Sequence, residues 1–280
     1  MLKTPITYYG GKLNMVDKIV PLLDYTKKQF VSLFTGGGAV EFAKPRHDVE
    51  VWNDIDDRVI TFWEVLQDDN LYPELEKMIR NTLHAETYHT KAQDILINSA
   101  NRFHRDYSKY TKVEKAWALW VQTNMSFGNM IFGGFAFAND NSRNGKTMNQ
   151  REAFRRDYYD RVKNIQLFRR DAIDLFDLKN TENTFFFIDP PYVSSDQGHY
   201  DGYTENDFLA MLERLTRIKG TFLMTSYPED ILMHYRKKFG WESMDLDMAL
   251  AVTGKREEQK RKTECITYNY RIQLDLFKDV

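Results

Sequence analysis

Residues 185–192 read FFFIDPPY, and this stretch sets the expected architecture of the chain. Its first four residues are all apolar, which is typical of a strand buried on both faces in a parallel sheet covered by helices. Two prolines end the strand, because each lacks a backbone N–H and fixes φ. The stretch therefore predicts an α/β fold with Asp189 at the carboxyl end of a strand, where open α/β sheets bind ligands.

The four residues after the strand suit a flat heterocycle that carries an exocyclic amino group. The Asp189 carboxylate and the Pro190 carbonyl can accept the two amino hydrogens, and Tyr192 can stack on the ring. A strand followed by an ordinary proline turn explains the tetrapeptide equally well when it is taken alone. Three upstream segments favour the ligand site.

The composition limits the kind of protein that this chain can be. Of its 280 residues 42% are hydrophobic, enough for the core of one large domain or of a domain with an insertion. The one cysteine, Cys265, excludes a disulfide framework and predicts a reducing, cytoplasmic location. No signal-peptide pattern or bilayer-spanning apolar run is found, so no membrane partner is expected. The net charge of −2 leaves any nucleic-acid contact to local basic clusters.

The first upstream segment, residues 6–12, reads ITYYGGK. Gly10 and Gly11 allow a sharp turn or a close approach to a ligand, and Lys12 begins a helical pattern. A glycine turn with a lysine before a helix can hold an anion. A plain surface turn is the simpler explanation of this segment alone.

The second segment, residues 31–40, reads VSLFTGGGAV and predicts a strand, a glycine loop and a helix, the layout of a cofactor site. It lacks the G-x-G-x-x-G fingerprint, so a nicotinamide dinucleotide is a poorer candidate than a smaller nucleoside ligand. The third segment, residues 49–55, predicts the next strand. Asp54 at its end could accept both ribose hydroxyls, and Ile55 could pack on an adenine face.

Of the acids Asp56, Asp57 and Asp171, which follow Asp54, only Asp171, at the end of a later strand, is assigned to the predicted nucleoside site. Asp56 and Asp57 are expected to be solvated acids at the N-terminus of the next helix. Residues 167–172 predict a strand whose final acid, Asp171, could meet an adenine amino group.

From about residue 67 to residue 159 the alternation of strands and helices is lost. The pattern predicts helices over 71–83, 88–103 and 112–124, then a hairpin or long loop over 125–139 and a polar, mobile segment over 141–150. We interpret the block as a helical insertion whose polar side chains could read base edges. For any single residue in it, a solvated loop is the alternative.

Basic residues that could contact phosphate groups follow the insertion. They are Arg151, Arg155, Arg156, Arg161, Lys163, Arg169 and Arg170. A second basic segment, residues 255–262, includes Lys255 and Arg256 and could touch a DNA backbone or be a plain solvated loop. Residues 193–203 could close over a substrate. His199 lies in this segment and could act as a base, but a site of this kind does not need one.

The remaining elements can be assigned from their patterns. A helix is predicted over 208–218 and a strand over 221–226. A late strand over 263–270 is expected to pair with residues 241–246.

Together these segments resemble the Dam-type adenine-N6 DNA methyltransferases, which use S-adenosylmethionine. The resemblance covers roughly residues 5–65 and 165–270. It implies a Rossmann-like methyltransferase fold with a mixed central sheet, formed by residues 1–66 and 160–280. Residues 67–159 would be a mainly helical, inserted target-recognition domain.

The resemblance also implies two sets of site residues. The catalytic set is Asp189, Pro190, Pro191 and Tyr192. The cofactor-binding set comprises Tyr8, Gly10, Gly11 and Lys12 from the family's aromatic-x-Gly-Gly-Lys segment, Phe34, Gly36 and Gly38 from its glycine loop, Asp54 with Ile55, Asp171 with Ala172, and Asp189.

In the insertion the chain departs from the family members that methylate GATC. Their Arg-x-Asn-x-x-Gly-x-Phe-Asn-x-Pro-type segment has only a partial counterpart around Asn124–Gly128. Within it Asn124 and Ser126 are expected to contact DNA, and the recognition sequence stays unassigned.

The implied reaction is methyl transfer to the N6 amino group of an adenine flipped out of double-stranded DNA. No metal is required. A restriction nuclease that acts on the same site could be a partner, and the setting would be a bacterial cell or a phage-infected host.

Other functions remain as alternatives. An RNA or protein-glutamine methyltransferase could share the tetrapeptide, and a DNA-binding regulator could keep the fold without turnover. Cytosine-C5 methylation fits poorly, because it needs a thiolate and Cys265 is expected in a strand far from the tetrapeptide.

Overall fold

The structure is a computed structural model, and it describes residues 1–8, 10–99, 109–138, 140, 142–192, 202–249 and 261–272. Three residues singled out above, His199, Lys255 and Arg256, lie outside the described residues.

The strands of the described ranges form a seven-stranded sheet. They are β1 (Gln29–Ser32), β2 (Val49–Asn53), β3 (Gln166–Phe168), β4 (Thr184–Ile188), β5 (Thr221–Ser226), β6 (Glu242–Ala249) and β7 (Arg261–Tyr268). Their order across the sheet is β3-β2-β1-β4-β5-β7-β6. β1 is parallel to β2 and β4, β4 is parallel to β5, and β7 is antiparallel to β5 and β6. This mixed sheet confirms the predicted Rossmann-like α/β fold.

The helices of the described ranges alternate with the strands along the chain, apart from a run of helices between β2 and β3 and the consecutive strands β6 and β7. They are α1 (Val16–Ile19), α2 (Ala39–Ala43), α3 (Asp57–Gln67), α4 (Leu71–Arg80), α5 (Glu86–Ser99), α6 (Lys112–Met125), α7 (Ser142–Ala153), α8 (Arg156–Val162), α9 (Ala172–Lys179), α10 (Glu205–Leu215) and α11 (Asp230–Phe239). Short 3-10 turns follow α1 and α6, at Val20–Leu22 and Phe127–Asn129.

The apolar run that predicted a buried strand is β4. All five of its residues are buried, and the strand has a parallel neighbour on each side, as expected of a central strand in a parallel sheet whose faces are covered. Phe186 lies opposite Val31 of β1 and opposite Phe222 of β5. The predicted strand over 221–226 is β5, and the predicted late pair is present as β6 and β7, with Leu246 opposite Glu264.

One prediction in the insertion is wrong. Residues 141–150, predicted as a polar, mobile segment, belong largely to α7. The helix escaped the sequence pattern because Thr147 is its only buried residue, so it has no apolar stripe. Polar contacts hold it instead: Thr147 Oγ1 lies 2.9 Å from His84 Nδ1, and Gln150 Nε2 donates to Asn124 Oδ1 at 2.6 Å.

Two other elements are shorter than predicted. The strand expected over 167–172 ends at Phe168, because Asp171 is the N-cap of α9. The helical pattern from Lys12 gives only α1, which begins at Val16.

By its internal contacts the chain divides into two compact units. Unit 1 comprises Met1–Val20, Thr35–Pro45 and Asp54–Arg169, and unit 2 comprises Pro21–Phe34, Arg46–Asn53 and Arg170–Val280. Contacts therefore group the N-terminal segment and the glycine loop with the helical block.

Helix α6 is the centre of unit 1. It packs against α3, α4 and α5 and is buried from Lys115 to Met125. A capping box between Thr111 and Glu114 satisfies backbone N–H groups at its start. The Trp117 indole donates to Thr82 Oγ1 at 2.7 Å, so this large buried side chain also satisfies its polar atom.

Candidate active site

In unit 1, the carboxylate of Asp54 joins the glycine loop to the start of α3. Its Oδ2 accepts a hydrogen bond from the Gly36 N–H at 2.8 Å, and its Oδ1 accepts one from the Asp56 N–H at 2.9 Å. The Asp54 N–H donates to the Phe168 carbonyl at 3.3 Å. These bonds fix the acid that was predicted to bind ribose.

The surroundings of Asp54 favour its neutral form. Burial, and then the negative charge of Asp56, raise the pKa of Asp54 to about 6, while hydrogen bonds from backbone N–H groups oppose the shift. The adjacent Ile55 is 70% exposed, so an apolar surface stands open beside the carboxylate. An acceptor next to an exposed apolar side chain suits a nucleoside.

The glycine loop has a backbone conformation and close contacts that residues with a side chain rarely accommodate. Gly36 and Gly38 have φ values of +47° and +68°, in the left-handed region. A Cβ on Gly37 would lie 2.7 Å from Tyr8 Cβ and 3.3 Å from the Ile6 carbonyl oxygen. The N-terminal segment can therefore lie against the loop only because position 37 has no side chain.

Asp56 was predicted to be a solvated acid at the start of a helix, but it also bonds to two other side chains. It is the N-cap of α3, as expected, but it is only partly exposed. It accepts hydrogen bonds from the Tyr8 hydroxyl at 3.4 Å and from the Arg58 guanidinium at 2.6 Å. This acid thus links the N-terminal segment to α3. Asp57, also predicted to be solvated, is exposed and pairs with Arg169.

The predicted glycine turn at the N-terminus is present. The Gly11 N–H donates to the Tyr8 carbonyl at 3.1 Å, and Gly10 has a φ of +75°. Lys12 is 6% exposed, and its Nζ donates to the Gly10 carbonyl at 3.1 Å. The lysine is therefore folded back onto the turn.

In unit 2, the tetrapeptide follows β4 and is held by groups from β5 and β7. Asp189 Oδ1 accepts a hydrogen bond from Thr225 Oγ1 at 2.6 Å. The Tyr192 hydroxyl donates to Glu264 Oε2 at 3.3 Å, and its ring meets the Tyr227 ring edge to face with centroids 4.4 Å apart.

A small pocket opens beside the tetrapeptide. It is lined by Pro190, Pro191, Tyr192, Phe208, Ser226, Tyr227 and Glu229. Its walls are mostly aromatic and proline rings, with the Glu229 side chain as a polar group. Aromatic and proline side chains of this kind offer faces on which a flat ring can stack.

The other predicted cofactor residues of unit 2 have local partners. The Phe34 ring meets the Tyr203 ring edge to face, with centroids 5.9 Å apart. Asp171 is exposed and accepts the Ile173 N–H at 2.8 Å, which makes it the N-cap of α9, and Ala172 is the buried first residue of that helix.

The structure does not support the two DNA contacts predicted in the insertion. Asn124 is 4% exposed, and its amide bonds to the Trp120 carbonyl at 2.9 Å and to Gln150 at 2.6 Å. Ser126 is 1% exposed and its Oγ lies 2.9 Å from His89 Nε2. Both side chains are used inside unit 1, so neither presents polar atoms to a duplex.

Of the basic residues predicted to contact phosphate groups, Arg155 and Arg156 are exposed but have partners, whereas Arg161 is buried and its guanidinium donates to the Glu41 carbonyl. Arg155 pairs with Asp157 at 2.9 Å, and Arg156 pairs with Asp69 at 3.4 Å. Arg151 Nε donates to the Arg80 carbonyl at 3.0 Å. Exposed ion pairs of this kind are weak, so a phosphate group could displace the acids.

Cys265 lies in a strand, as predicted, but that strand is closer to the tetrapeptide than expected. Its neighbour Glu264 contacts Tyr192, whereas the Cys265 thiol is buried 3.5 Å from Ser226 Oγ. Burial raises the pKa of Cys265, which disfavours the thiolate. The thiol is therefore a poor nucleophile.

Three groups that hold the tetrapeptide were not predicted from the sequence: Thr225, Tyr227 and Glu264. The available signal was the predicted strand over 221–226, because parallel neighbours end at the same edge of a sheet. In the part of the chain that the structure describes, no group of three or more His, Cys, Asp or Glu side chains could hold a metal ion. No described helix is long and apolar enough to cross a membrane.

Comparison with known proteins identifies a family, a relative and a solved structure to which the chain is similar. A family model for D12 class N6 adenine-specific DNA methyltransferases matches residues 8–249. The modification methylase StsI of Streptococcus sanguinis is 24% identical over 217 residues, which cover 72% of this chain but only 30% of that relative's length. An rRNA methylase structure from Streptococcus thermophilus aligns over 93% of this chain and 98% of its own, with 9% identity and a TM-score of 0.37. Because that score is low, the fold assignment rests on the strand order.

Proposed function

Because the chain belongs to the D12 class N6 adenine-specific DNA methyltransferase family, we propose that it transfers a methyl group to the N6 amino group of an adenine in double-stranded DNA. The observation that carries the proposal is the tetrapeptide at the carboxyl end of β4. There a carboxylate anchored by Thr225, a rigid proline carbonyl and an aromatic ring follow one another. These are the groups that recognise an exocyclic amino group on a flat base.

The proposed methyl donor is S-adenosylmethionine, which supplies a methyl group activated by a sulfonium. The residues of unit 1 fit its nucleoside part. Asp54 would accept the ribose hydroxyls, and the exposed Ile55 would pack on the adenine. The glycine loop, with Gly36 and Gly38 in the left-handed region, would lie beside the methionine part. The family resemblance adds Asp171 as the acid for the adenine amino group.

The tetrapeptide would activate the target nitrogen. An adenine N6 is a weak nucleophile, because its lone pair is delocalised into the ring. Hydrogen bonds from N6 to the Asp189 carboxylate and the Pro190 carbonyl would localise that lone pair and make the nitrogen a better nucleophile. Much of the rate then comes from positioning. Stacking on Tyr192 offsets part of the cost of flipping the base, about a few kcal/mol.

The helical insertion, residues 67–159, would select the DNA sequence, and Arg151, Arg155 and Arg156 would contact phosphate groups. Phosphate contacts position a duplex, and base contacts specify it. The relative StsI is a modification methylase. Its name supports a role for this chain in restriction-modification, beside a nuclease that acts on the same site.

A transfer assay with tritiated S-adenosylmethionine tests the proposal. Duplex DNA should be labelled, and RNA and protein should not. Sequencing of modified bases in DNA from cells that express the protein should then show N6-methyladenine in one short motif. Labelling of RNA or protein alone would select the alternatives, and labelling of nothing would favour a non-catalytic regulator.

A further inference from the structure

We propose that Thr225 is a positioning residue for methyl transfer, whose hydroxyl holds the Asp189 carboxylate in the orientation that receives the adenine amino group. Thr225 Oγ1 donates to Asp189 Oδ1 at 2.6 Å. The inference rests on the proposed function and extends it to a residue outside the tetrapeptide.

The strand register brings the two residues together. β4 and β5 are parallel, and Ile188 lies opposite Met224. Asp189 directly follows β4, and Thr225 follows Met224 in β5. Residues paired across neighbouring strands project to the same face of the sheet, so the two side chains meet at its edge.

The surroundings of Thr225 explain why a hydroxyl is needed there. Its side chain is fully buried, at 0% exposure. A buried hydroxyl is costly unless it is hydrogen-bonded, and valine would fill almost the same volume without that cost. The distance of 2.6 Å is typical of an O–H···O⁻ bond to a carboxylate, which is roughly twice as strong as a bond between neutral groups.

The bond restricts a rotation on which the chemistry depends. The terminal torsion of an aspartate is broad, so a carboxylate turns easily about its last bond. Threonine is branched at Cβ and therefore stiff, so its hydroxyl direction is set by the strand. With Oδ1 of Asp189 tied to Thr225, Oδ2 points in one direction. Removing the hydroxyl would leave the acceptor in place but misaligned, which slows transfer more than it weakens binding.

The test compares Thr225→Val with Thr225→Ser on a duplex that carries the methylated motif. Single-turnover transfer by Thr225→Val should be about 10–100-fold slower, the range for losing a hydrogen bond to a charged group. Its KM for DNA and its affinity for S-adenosylmethionine should stay within about twofold, as expected for a group that acts on alignment alone. A 2-aminopurine at the target position should show the wild-type fluorescence increase, which reports base flipping. Thr225→Ser keeps the hydroxyl and should recover most of the rate.

The matched control is Thr267→Val, the same change at an equally buried position on β7, and it should transfer at the wild-type rate. Wild-type speed in Thr225→Val would overturn the proposal, as would a serine variant as slow as the valine variant. Loss of cofactor affinity or of base flipping together with the rate would show a structural role instead. If Thr225→Val does not fold, Thr225→Ala replaces it with the same expected loss.

A wild-type protein that fails to methylate duplex DNA refutes the proposed function itself, whereas an active wild type with a fast Thr225→Val refutes only the role of Thr225.

Discussion

Asp54 Oδ2 accepts a hydrogen bond from the backbone N–H of Gly36 at 2.8 Å. This bond ties Asp54, which follows β2, to the glycine loop. The carboxylate proposed to bind ribose is thus fixed to that loop.

Replacing Asp54 with alanine should weaken S-adenosylmethionine binding by about 1–3 kcal/mol, the range for a hydrogen bond to a charged group. The ribose hydroxyls would lose their acceptor. Titration calorimetry on the folded protein measures the effect, with Asp48→Ala, the same change at an exposed residue before β2, as the control. Unchanged affinity in Asp54→Ala would remove Asp54 from the proposed site.

Cofactor affinity should fall as the pH drops from about 7 to about 5, because the pKa of Asp54 is raised to about 6 by burial and by Asp56. The protonated carboxyl is a weaker acceptor for the ribose hydroxyls. Asp54→Asn cannot titrate, so its affinity should be lower but flat over the same range. If the variant and the wild type show the same pH dependence, another group is responsible.

The raised pKa of Asp54 also makes stability depend on pH, with a definite sign. Between about pH 4 and pH 6 the folded protein keeps a proton on Asp54 that the unfolded chain has released. The contribution of this group to the free energy of unfolding should therefore be greatest below pH 4 and decrease as the pH rises to 6. Denaturant unfolding of the wild type and of Asp54→Asn measures this contribution. The difference between their free energies of unfolding should change between pH 4 and pH 6 and stay constant above pH 6.

Replacing Gly37 with alanine should destabilise the protein by about 1–3 kcal/mol, the usual cost of overpacking. The new Cβ would lie 2.7 Å from Tyr8 Cβ, and the N-terminal segment would have to move. The matched control is Gly145→Ala in α7, where no atom lies within 4 Å of the new Cβ. That variant should be neutral or up to about 1 kcal/mol more stable, because alanine favours helix. Equal stability of the two variants in denaturant unfolding would contradict the close packing at Gly37.

Replacing Asp189 with alanine should abolish methyl transfer and leave the fold and DNA binding nearly intact. The reason is that the carboxylate acts on the amino group after the base has entered the site. Single-turnover transfer is the measurement, and duplex affinity together with cofactor affinity are the controls. A rate like that of the wild type would end the assignment of Asp189 as catalytic.

Reversing Arg155 and Arg156 to glutamate should lower affinity about equally for target and non-target duplexes, because phosphate contacts carry no sequence information. The slope of log affinity against log salt should fall by about 0.9 for each phosphate group that the variant no longer neutralises. Stability should change little, since the pairs with Asp157 and Asp69 are exposed.

The charge-matched control for this reversal places glutamate at Arg217 and Lys219, two exposed residues just after α10. Its effect on DNA affinity should be small. A changed methylation motif in the Arg155 and Arg156 variant would instead make these arginines base readers.

Local patterns were enough to predict most of the elements. The apolar run of β4 and the three glycines after β1 each carry their own signal, because strand burial and left-handed backbone depend on nearby residues. The same patterns failed for α7, whose helix is held by polar contacts of Thr147 and Gln150 with distant residues.

By itself, the sequence determined the α/β fold and the place of the tetrapeptide at a strand end, because both follow from hydrophobic runs and from the backbone limits of glycine and proline. Only the tertiary structure decided which side chains meet. Thr225 holds Asp189 and Glu264 contacts Tyr192 because strands far apart in the chain become neighbours in the sheet. It also decided that Asn124 is buried. Partner choice and burial depend on packing between distant segments, and no local pattern of residues records either of them.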